Sequence, residues 1–373
     1  MMKPLDIVIL GLSITSSWGN GHATTFRALV RALSARGHNV CFLERDMPWY
    51  AENRDLPNPP YGLTQLYKSV AELKRKFARK VMNADLCVVG SYVPDGVAIG
   101  DWVVQTCRGV KAFYDIDTPI TLAKLANGDD EYLTPNLVRQ YDLYLSFTGG
   151  RVLRKIEREL GSPMARALYC SVDPKVYFSE NRKAKWDLGY MGTYSVDRQP
   201  SLDLLLVEPA RRSPKLKTVV AGPMYPSELS WPANVERIEH LAPADHRRFY
   251  NSQRFTLNLT RADMRAAGYS PSVRLFEAAA CGAPIISDSW PGLETFFELD
   301  KEILTASSAD EVLRYLNEVS EQDRRAIGER ARLRVLANHT SERRAMELEE
   351  YVGEVMQTAS TTPASAQSAG AIA

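Results

Sequence analysis

Short apolar runs alternate with amphipathic stretches along most of the chain, and this alternation limits the fold more than any single residue does. Residues 6–12 read DIVILGL and lead into a loop rich in Gly and Ser. Residues 24–36 then carry Phe26, Leu29, Val30 and Leu33 on one side at helical spacing, Gly37 stops them, and residues 40–43 are apolar again. Two buried strands joined through a helix run parallel with a right-handed crossover. Further strand-like runs fall at residues 86–89, 110–114 and 143–147, so the first half reads as a Rossmann-like α/β unit. The polar run 179–185 looks like a linker, after which apolar runs at 188–191, 218–221, 255–259 and 284–287 open a second series. Helices are expected at 309–319, 321–336 and 341–356, and the closing TASTTPASAQSAGAIA is small and polar enough to stay disordered.

A chain of 373 residues exceeds one ordinary core and predicts two domains of roughly 150 residues or more. Its 46 basic and 45 acidic side chains leave a formal charge of +1, so no global field draws it to nucleic acid and any anion site is local. Cys41, Cys87, Cys107, Cys170 and Cys281 are dispersed and lack C-x-x-C spacing, which argues against a disulfide framework or a zinc site and for a reducing, cytoplasmic setting. No run approaches the roughly 18 apolar residues of a membrane span, and no cleavable leader is read at the start. The basic stretch KSVAELKRKFARK, residues 68–80, has Val70, Leu73 and Phe77 at helical spacing. It could make a peripheral contact with anionic lipid or a partner, or pack that stripe inward as a solvated helix.

Residues 272–288, SVRLFEAAACGAPIISD, read as a helix that stops sharply and feeds a strand. Ser270 is the expected N-cap, Pro271 the first-turn proline, and Gly282 and Pro284 the stop. A helix start with free N–H groups can hold a diphosphate at Ser272 and Val273. Arg274 and Glu277 share one face a turn later, as a phosphate cation and a sugar hydroxyl acceptor or as an i,i+3 ion pair. After the strand at 188–191, Gly192 and Thr193 precede Arg198, either a diphosphate ligand or the partner of Asp197. Between the first strand and helix, SITSSWGNGHATT places Trp18, Gly19, Asn20, Gly21 and His22. Its glycines do not complete G-x-G-x-x-G, because the third position is Thr24, yet Glu44 stands where a dinucleotide-binding unit holds a ribose, so an NAD-dependent dehydrogenase is a rival. Asp115 and Asp117 end a strand two residues apart and can bind acceptor hydroxyls or act as a base; Asp117 can instead cap the turn before Pro119. Trp49, Tyr50 and Tyr61 stand among Arg45, Asp46, Arg54 and Asp55 in a long proline-rich segment that suits a carbohydrate or simply pins the loop.

Glu277, Ala278, Ala280, Gly282 and Pro284 reproduce the E-A-x-A-x-G-x-P helix of the retaining GT-B glycosyltransferases, and this segment resembles their nucleotide-sugar half. The segment 167–178 resembles the one that closes the N-terminal domain in many GT-B enzymes, and with the E-R-D-x-P-W-Y and R-D-L elements and HTSERR at 339–344 the chain is most similar to the glycosyltransferases grouped around the spore maturation protein CgeB. The similarity covers all but the tail. It implies an α/β, GT-B fold: an acceptor domain at 1–180, a donor domain at 181–340, a helix at 341–357 expected to cross back, and a disordered tail at 358–373. It further implies a hexosyltransferase-like, metal-independent enzyme with no cofactor beyond a nucleoside diphosphate sugar as co-substrate, acting on a carbohydrate, small-molecule or glycoconjugate acceptor. In that scheme Glu277 holds ribose hydroxyls, Arg198 and Arg274 the diphosphate, and Gly192, Thr193, Ser272 and Val273 the phosphate backbone contacts. Tyr269 lies on the donor side at the position where the broader family often has a second glutamate. Retention is the favoured outcome; for inversion, His22, Asp117 or Asp115 is the candidate base. Trp18, Asn20, Gly21, Trp49 and Tyr50 are the acceptor candidates. A GT-B nucleotide-sugar epimerase and a non-catalytic nucleotide-sugar binding protein are the alternatives.

Overall fold

A computed structural model describes residues 3–19 and 21–361, the side chains of the last three excepted. The first sheet has seven strands in the order β3-β2-β1-β4-β5-β6-β7, all parallel. These are β1 (Asp6–Gly11), β2 (Asn39–Arg45), β3 (Leu63–Tyr67), β4 (Leu86–Gly90), β5 (Val110–Asp115), β6 (Leu143–Ser146) and β7 (Ala165–Ala167). Strands buried on both faces read as unbroken apolar runs, as Leu86–Gly90 does, because helices cover each side of a parallel sheet. The second sheet has six parallel strands in the order β10-β9-β8-β11-β12-β13. They are β8 (Trp186–Met191), β9 (Thr218–Ala221), β10 (Val235–Ile238), β11 (Gln253–Asn258), β12 (Ile285–Ser287) and β13 (Leu304–Thr305). Both orders reverse beside their first strand, and a ligand crevice forms outside the carboxyl ends of the strands at such a switch.

The expected α/β class is what the chain adopts. The central strands stand where the apolar runs place them, whereas β3, β7, β10 and β13 were not anticipated. All four are edge or near-edge strands of five residues or fewer, and β3 exposes Leu63 and Leu66.

The helix Ser341–Thr361 leaves the second domain and packs on the first. Thr340 bridges to Val172, the Ser341 N–H donates to the Val172 carbonyl at 2.8 Å, and Glu349 accepts from His38 Nε2 at 2.8 Å and from the Arg36 guanidinium. Its apolar side chains Ala345, Leu348 and Val352 join a buried cluster that runs through Tyr114, Val172 and Tyr177 to Phe276 in the second domain. Burying a Leu or Val of this kind contributes roughly 1.5–3 kcal/mol, so the return helix is a substantial fastening between the domains. The helix continues to Thr361, past the expected boundary at 357 and into the segment expected to be disordered; residues 362–373 lie outside the described residues.

The basic stretch at 68–80 forms the helix Val70–Met82, begun by a reciprocal cap in which Ser69 accepts from the Glu72 N–H and Glu72 accepts from the Lys68 N–H. Leu73, Phe77 and Val81 all turn into the domain core, so the stripe considered for lipid contact is already used in packing. No helix of the described residues is long and apolar enough to cross a membrane.

Candidate active site

A cavity of about 300 Å³ opens where the two sheets face each other. Gly21 and Thr24 line it from the first domain, and Gly192, Thr193, Arg198, Val273, Arg274 and Glu277 line it from the second. Six of the eight residues expected to hold the donor therefore share one wall.

The helix Val273–Ala280 carries three of them. It begins later than expected, with Ser272 rather than Ser270 preceding it in extended geometry, and no side chain caps it. Ser272 Oγ instead donates to Asn258 Oδ1 at 2.8 Å, and Ser270 Oγ is bound to Thr148 Oγ1 of the first domain at 2.9 Å. The first amides of this helix are left without a side-chain acceptor, which is the condition for anion binding at a helix start. At the other end Gly282 is left-handed (φ +70°), as a C′ residue is.

Arg274 is buried, yet it does not pair with Glu277. Its Nε donates to the Met191 carbonyl at 2.6 Å and its Nη1 to Asn258 Oδ1 at 3.0 Å, while the guanidinium lies 4.9 Å from the Tyr190 ring centroid. Arg198 does not pair with Asp197 either, because Asp197 is occupied by Ser195 Oγ and the Ala262 N–H. Arg198 Nη2 donates to the Thr193 carbonyl at 2.7 Å, but its Nε is buried with no hydrogen-bond partner. Burial, and then the adjacent cations Arg274 and Arg261, hold the Arg198 guanidinium below its ordinary pKa. Arg261 likewise has a buried Nε without a partner. Arg198 and Arg274 thus share the cavity wall, with Arg261 near enough to act on Arg198, and none has a carboxylate partner among the described residues, a costly arrangement unless an anion completes it.

Glu277 is 3% exposed and accepts from Tyr250 Oη at 3.2 Å. Burial pushes its carboxyl up from the usual range. His246, one turn before Tyr250, is held by Tyr177 Oη at 3.3 Å and completes this part of the wall. The loops after β8 and β9 touch directly: Gly222 has φ +147°, and a Cβ there would stand 2.0 Å from the Gly192 carbonyl oxygen. Tyr225 Oη and Arg237 Nη2 fasten these loops through the Gly192 and Gly222 carbonyls at 3.2 and 3.0 Å.

On the first domain, His22 starts the helix His22–Ala35 and is buried, with its Nε2 3.6 Å from Asp117 Oδ2 and its Nδ1 enclosed without a partner among the described residues. Asp115 is wholly buried and accepts from Tyr144 Oη at 2.5 Å and Thr121 Oγ1 at 2.7 Å, which removes it from contact with any acceptor. Its role is to brace the strand end that carries Asp117. Trp18 and Trp49 are 51% and 47% exposed, but Tyr50 is buried and offers no docking face. Asn20 lies outside the described residues. The loop that carries Trp18 is pinned by Asp55, which accepts from the Ser17 N–H at 2.8 Å and from Arg27 at 2.8 and 2.9 Å. Burial raises the Asp55 pKa, yet Arg27 and the Ser17 N–H outweigh it and hold the carboxyl at about 2.

Two further expectations fail here for stated reasons. Tyr269 does not line the cavity: its backbone is left-handed (φ +49°), and its ring fills the space where Cβ atoms on Gly150 and Gly292 would come within 2.5 and 2.6 Å. It is a wedge between the domains. Glu44, the residue on which a dinucleotide site depends, is fully buried, with Oε2 accepting from the Ile14 and Thr15 N–H groups at 2.7 and 2.9 Å and Oε1 from Thr15 Oγ1 at 2.6 Å. No carboxylate oxygen remains for a ribose, and the dehydrogenase reading falls. Arg261, Tyr250 and His246 were not anticipated; Arg261 follows β11, so its place beyond a strand's carboxyl end was the available signal.

Comparisons with known proteins bear on the fold. Residues 198–350 match the family model described as glycosyl transferase-like. A sucrose-phosphate synthase from Thermosynechococcus elongatus superposes with a TM-score of 0.66 at 14% identity, over 94% of this chain and 99% of that one. HepE from Anabaena, solved with UDP and glucose, gives 0.69 at 11% identity over 93% of this chain and 99% of its own. An alpha-glucosyltransferase solved with UDP-glucose and DNA containing an abasic site gives 0.69 at 11% over 94% and 100%. No curated protein matches the sequence. The fold is therefore that of the GT-B glycosyltransferases.

Proposed function

We propose that the protein is a glycosyltransferase that takes a sugar from a uridine diphosphate sugar held on its second domain and passes it to an acceptor hydroxyl entering from the first. The observation that carries this reading is that Arg198 and Arg274, neither paired with a carboxylate among the described residues, share the cavity wall beside the uncapped start of the Val273–Ala280 helix. A diphosphate supplies the missing negative charge, and as the glycosidic bond to the donor breaks these cations offset the charge that grows on the leaving group. No metal is assigned a step. Glu277, one turn deeper on the same helix and lining the cavity, takes the ribose hydroxyls. Uridine is preferred because the solved neighbours carry it. The sugar is retained in configuration, with a donor phosphate oxygen taking the acceptor proton, as the E-A-x-A-x-G-x-P helix shared with the retaining group suggests. The exposed faces of Trp18 and Trp49 suit a sugar-bearing acceptor. A CgeB-like grouping, hexose as the transferred sugar and a cytoplasmic setting belong to the same proposal.

The test is release of UDP from UDP-glucose with and without a panel of glycan and small-molecule acceptors. Acceptor-stimulated release is expected. Isomerisation of the sugar without any acceptor would point to an epimerase, and tight binding without turnover to a non-catalytic receptor; either would overturn the transferase.

A further inference from the structure

A second concavity of about 670 Å³ runs along the domain junction, outside the donor cavity. Its walls come from three helices: Thr118–Ala126 and Arg151–Arg158 of the first domain, and Ala262–Ala267 of the second. Arg151, Arg154 and Arg158 stand at i, i+3 and i+7, so they form one stripe about 10 Å long. All three are exposed. Arg151 Nη2 donates to the Ala266 carbonyl at 3.0 Å and ties the stripe to the second domain, whereas Arg154 and Arg158 have no carboxylate partner among the described residues. Lys155 adds a fourth cation, 4.0 Å from Glu159, and Asp263 is the other carboxylate on the wall. The remaining surface is apolar, from Pro119, Leu122 and Ala123.

Pro119 is two residues beyond Asp117 at the carboxyl end of β5, and Asp263 is two residues beyond Arg261 at that of β11. Two of the groove's helices therefore start just beyond the carboxyl ends of these strands. We infer that the groove binds an anionic portion of the acceptor, a glycan segment bearing phosphate or carboxylate groups. This rests on the glycosyltransferase reading, which it narrows to acidic acceptors. A nucleic acid fits less well, because no aromatic ring lines the groove to stack a base and the chain's formal charge is only +1.

The experiment uses the full chain with its donor site saturated by UDP, so that phosphate probes cannot occupy the arginines there. Tripolyphosphate and a carboxylate-bearing oligogalacturonate are titrated calorimetrically at low and high salt, beside neutral maltohexaose and an oligothymidylate. Binding of one or both acidic probes is expected, weakening as salt rises, and weakening by roughly tenfold or more in the Arg154→Glu, Arg158→Glu double variant. UDP affinity, measured on the same samples, stays at the wild-type value. No binding of either acidic probe, or equal binding by the double variant, overturns the inference. Tighter, arginine-dependent binding of the oligothymidylate overturns it in favour of nucleic acid. Arginine-dependent probe binding without any UDP binding keeps the groove and removes the donor reading alone.

Discussion

Nε2 of His22 stands 3.6 Å from Oδ2 of Asp117, with Gly21, the residue before His22, lining the donor cavity. The pair holds the start of the first-domain helix against the end of β5 and so positions the acceptor-side wall. If its role is positioning, Asp117→Asn and His22→Gln each lower kcat by less than about tenfold and leave the pH–rate profile with the same limbs. A general base is worth about 10²–10⁴-fold, so a loss of that size together with a vanished acid limb would instead assign His22 the proton transfer and favour inversion. Steady-state rates across pH, with NMR of the product anomer, separate the two.

Arg198 is a half-buried cation with an enclosed Nε, a carbonyl as its hydrogen-bond partner and two like charges nearby, so in the ligand-free protein it is a burden. Replacing it with Met, of similar reach and no charge, is expected to leave the melting temperature unchanged or raise it. The same variant should bind UDP at least tenfold more weakly, about 1.4 kcal/mol or more. A lower melting temperature with unchanged UDP affinity would mean that Arg198 serves the fold and not the ligand.

Gly222→Ala tests the contact between the two loops. The new Cβ would lie 2.0 Å from the Gly192 carbonyl oxygen at a backbone angle that L side chains avoid. A cost of about 1–3 kcal/mol in urea unfolding is expected, with loss of UDP binding as the loop at Gly192 and Thr193 shifts. A variant of wild-type stability and affinity would show that the loops are not in register as described.

The alternation of apolar runs and helices made both sheets legible, because a parallel strand buried on both faces has to be apolar throughout. What stayed hidden has two causes. Short edge strands such as Leu304–Thr305 carry too few residues to show a period. Side-chain commitments across long sequence separations, such as Glu44 to Thr15 or Tyr269 between Gly150 and Gly292, leave no local mark. The same holds in the site. Arg274 and Glu277 were findable from a helix start and its spacing, whereas Tyr250 and His246 reach Glu277's wall from another helix with no motif of their own.

Asp115 gives a pH signature of the fold. Its carboxyl, ordinarily near 3.8, is pushed up to about 6, chiefly by burial and against the hydrogen bonds from Tyr144 and Thr121. The folded state thus favours the neutral acid: the stabilising contribution is complete below the unfolded pKa and is lost as pH rises through the folded one. The difference amounts to something on the order of 3 kcal/mol. Asp115→Asn does not titrate, so its stability relative to wild type should climb by up to that amount between about pH 4 and 7 in urea unfolding. A pH-independent difference would place the Asp115 carboxyl in a more polar setting than the one described.

The claim on which the rest depends is that Glu277 and its arginine neighbours hold a nucleoside diphosphate. Calorimetric titration of UDP into wild type and Glu277→Gln addresses it most directly, since the amide keeps the shape while removing the charge and replacing one acceptor with a donor. Wild type should bind UDP, and the variant should bind it at least about tenfold more weakly while unfolding at a similar urea concentration. Equal affinity in the two proteins, or binding of NAD with none of UDP, would contradict the donor site and the function built on it.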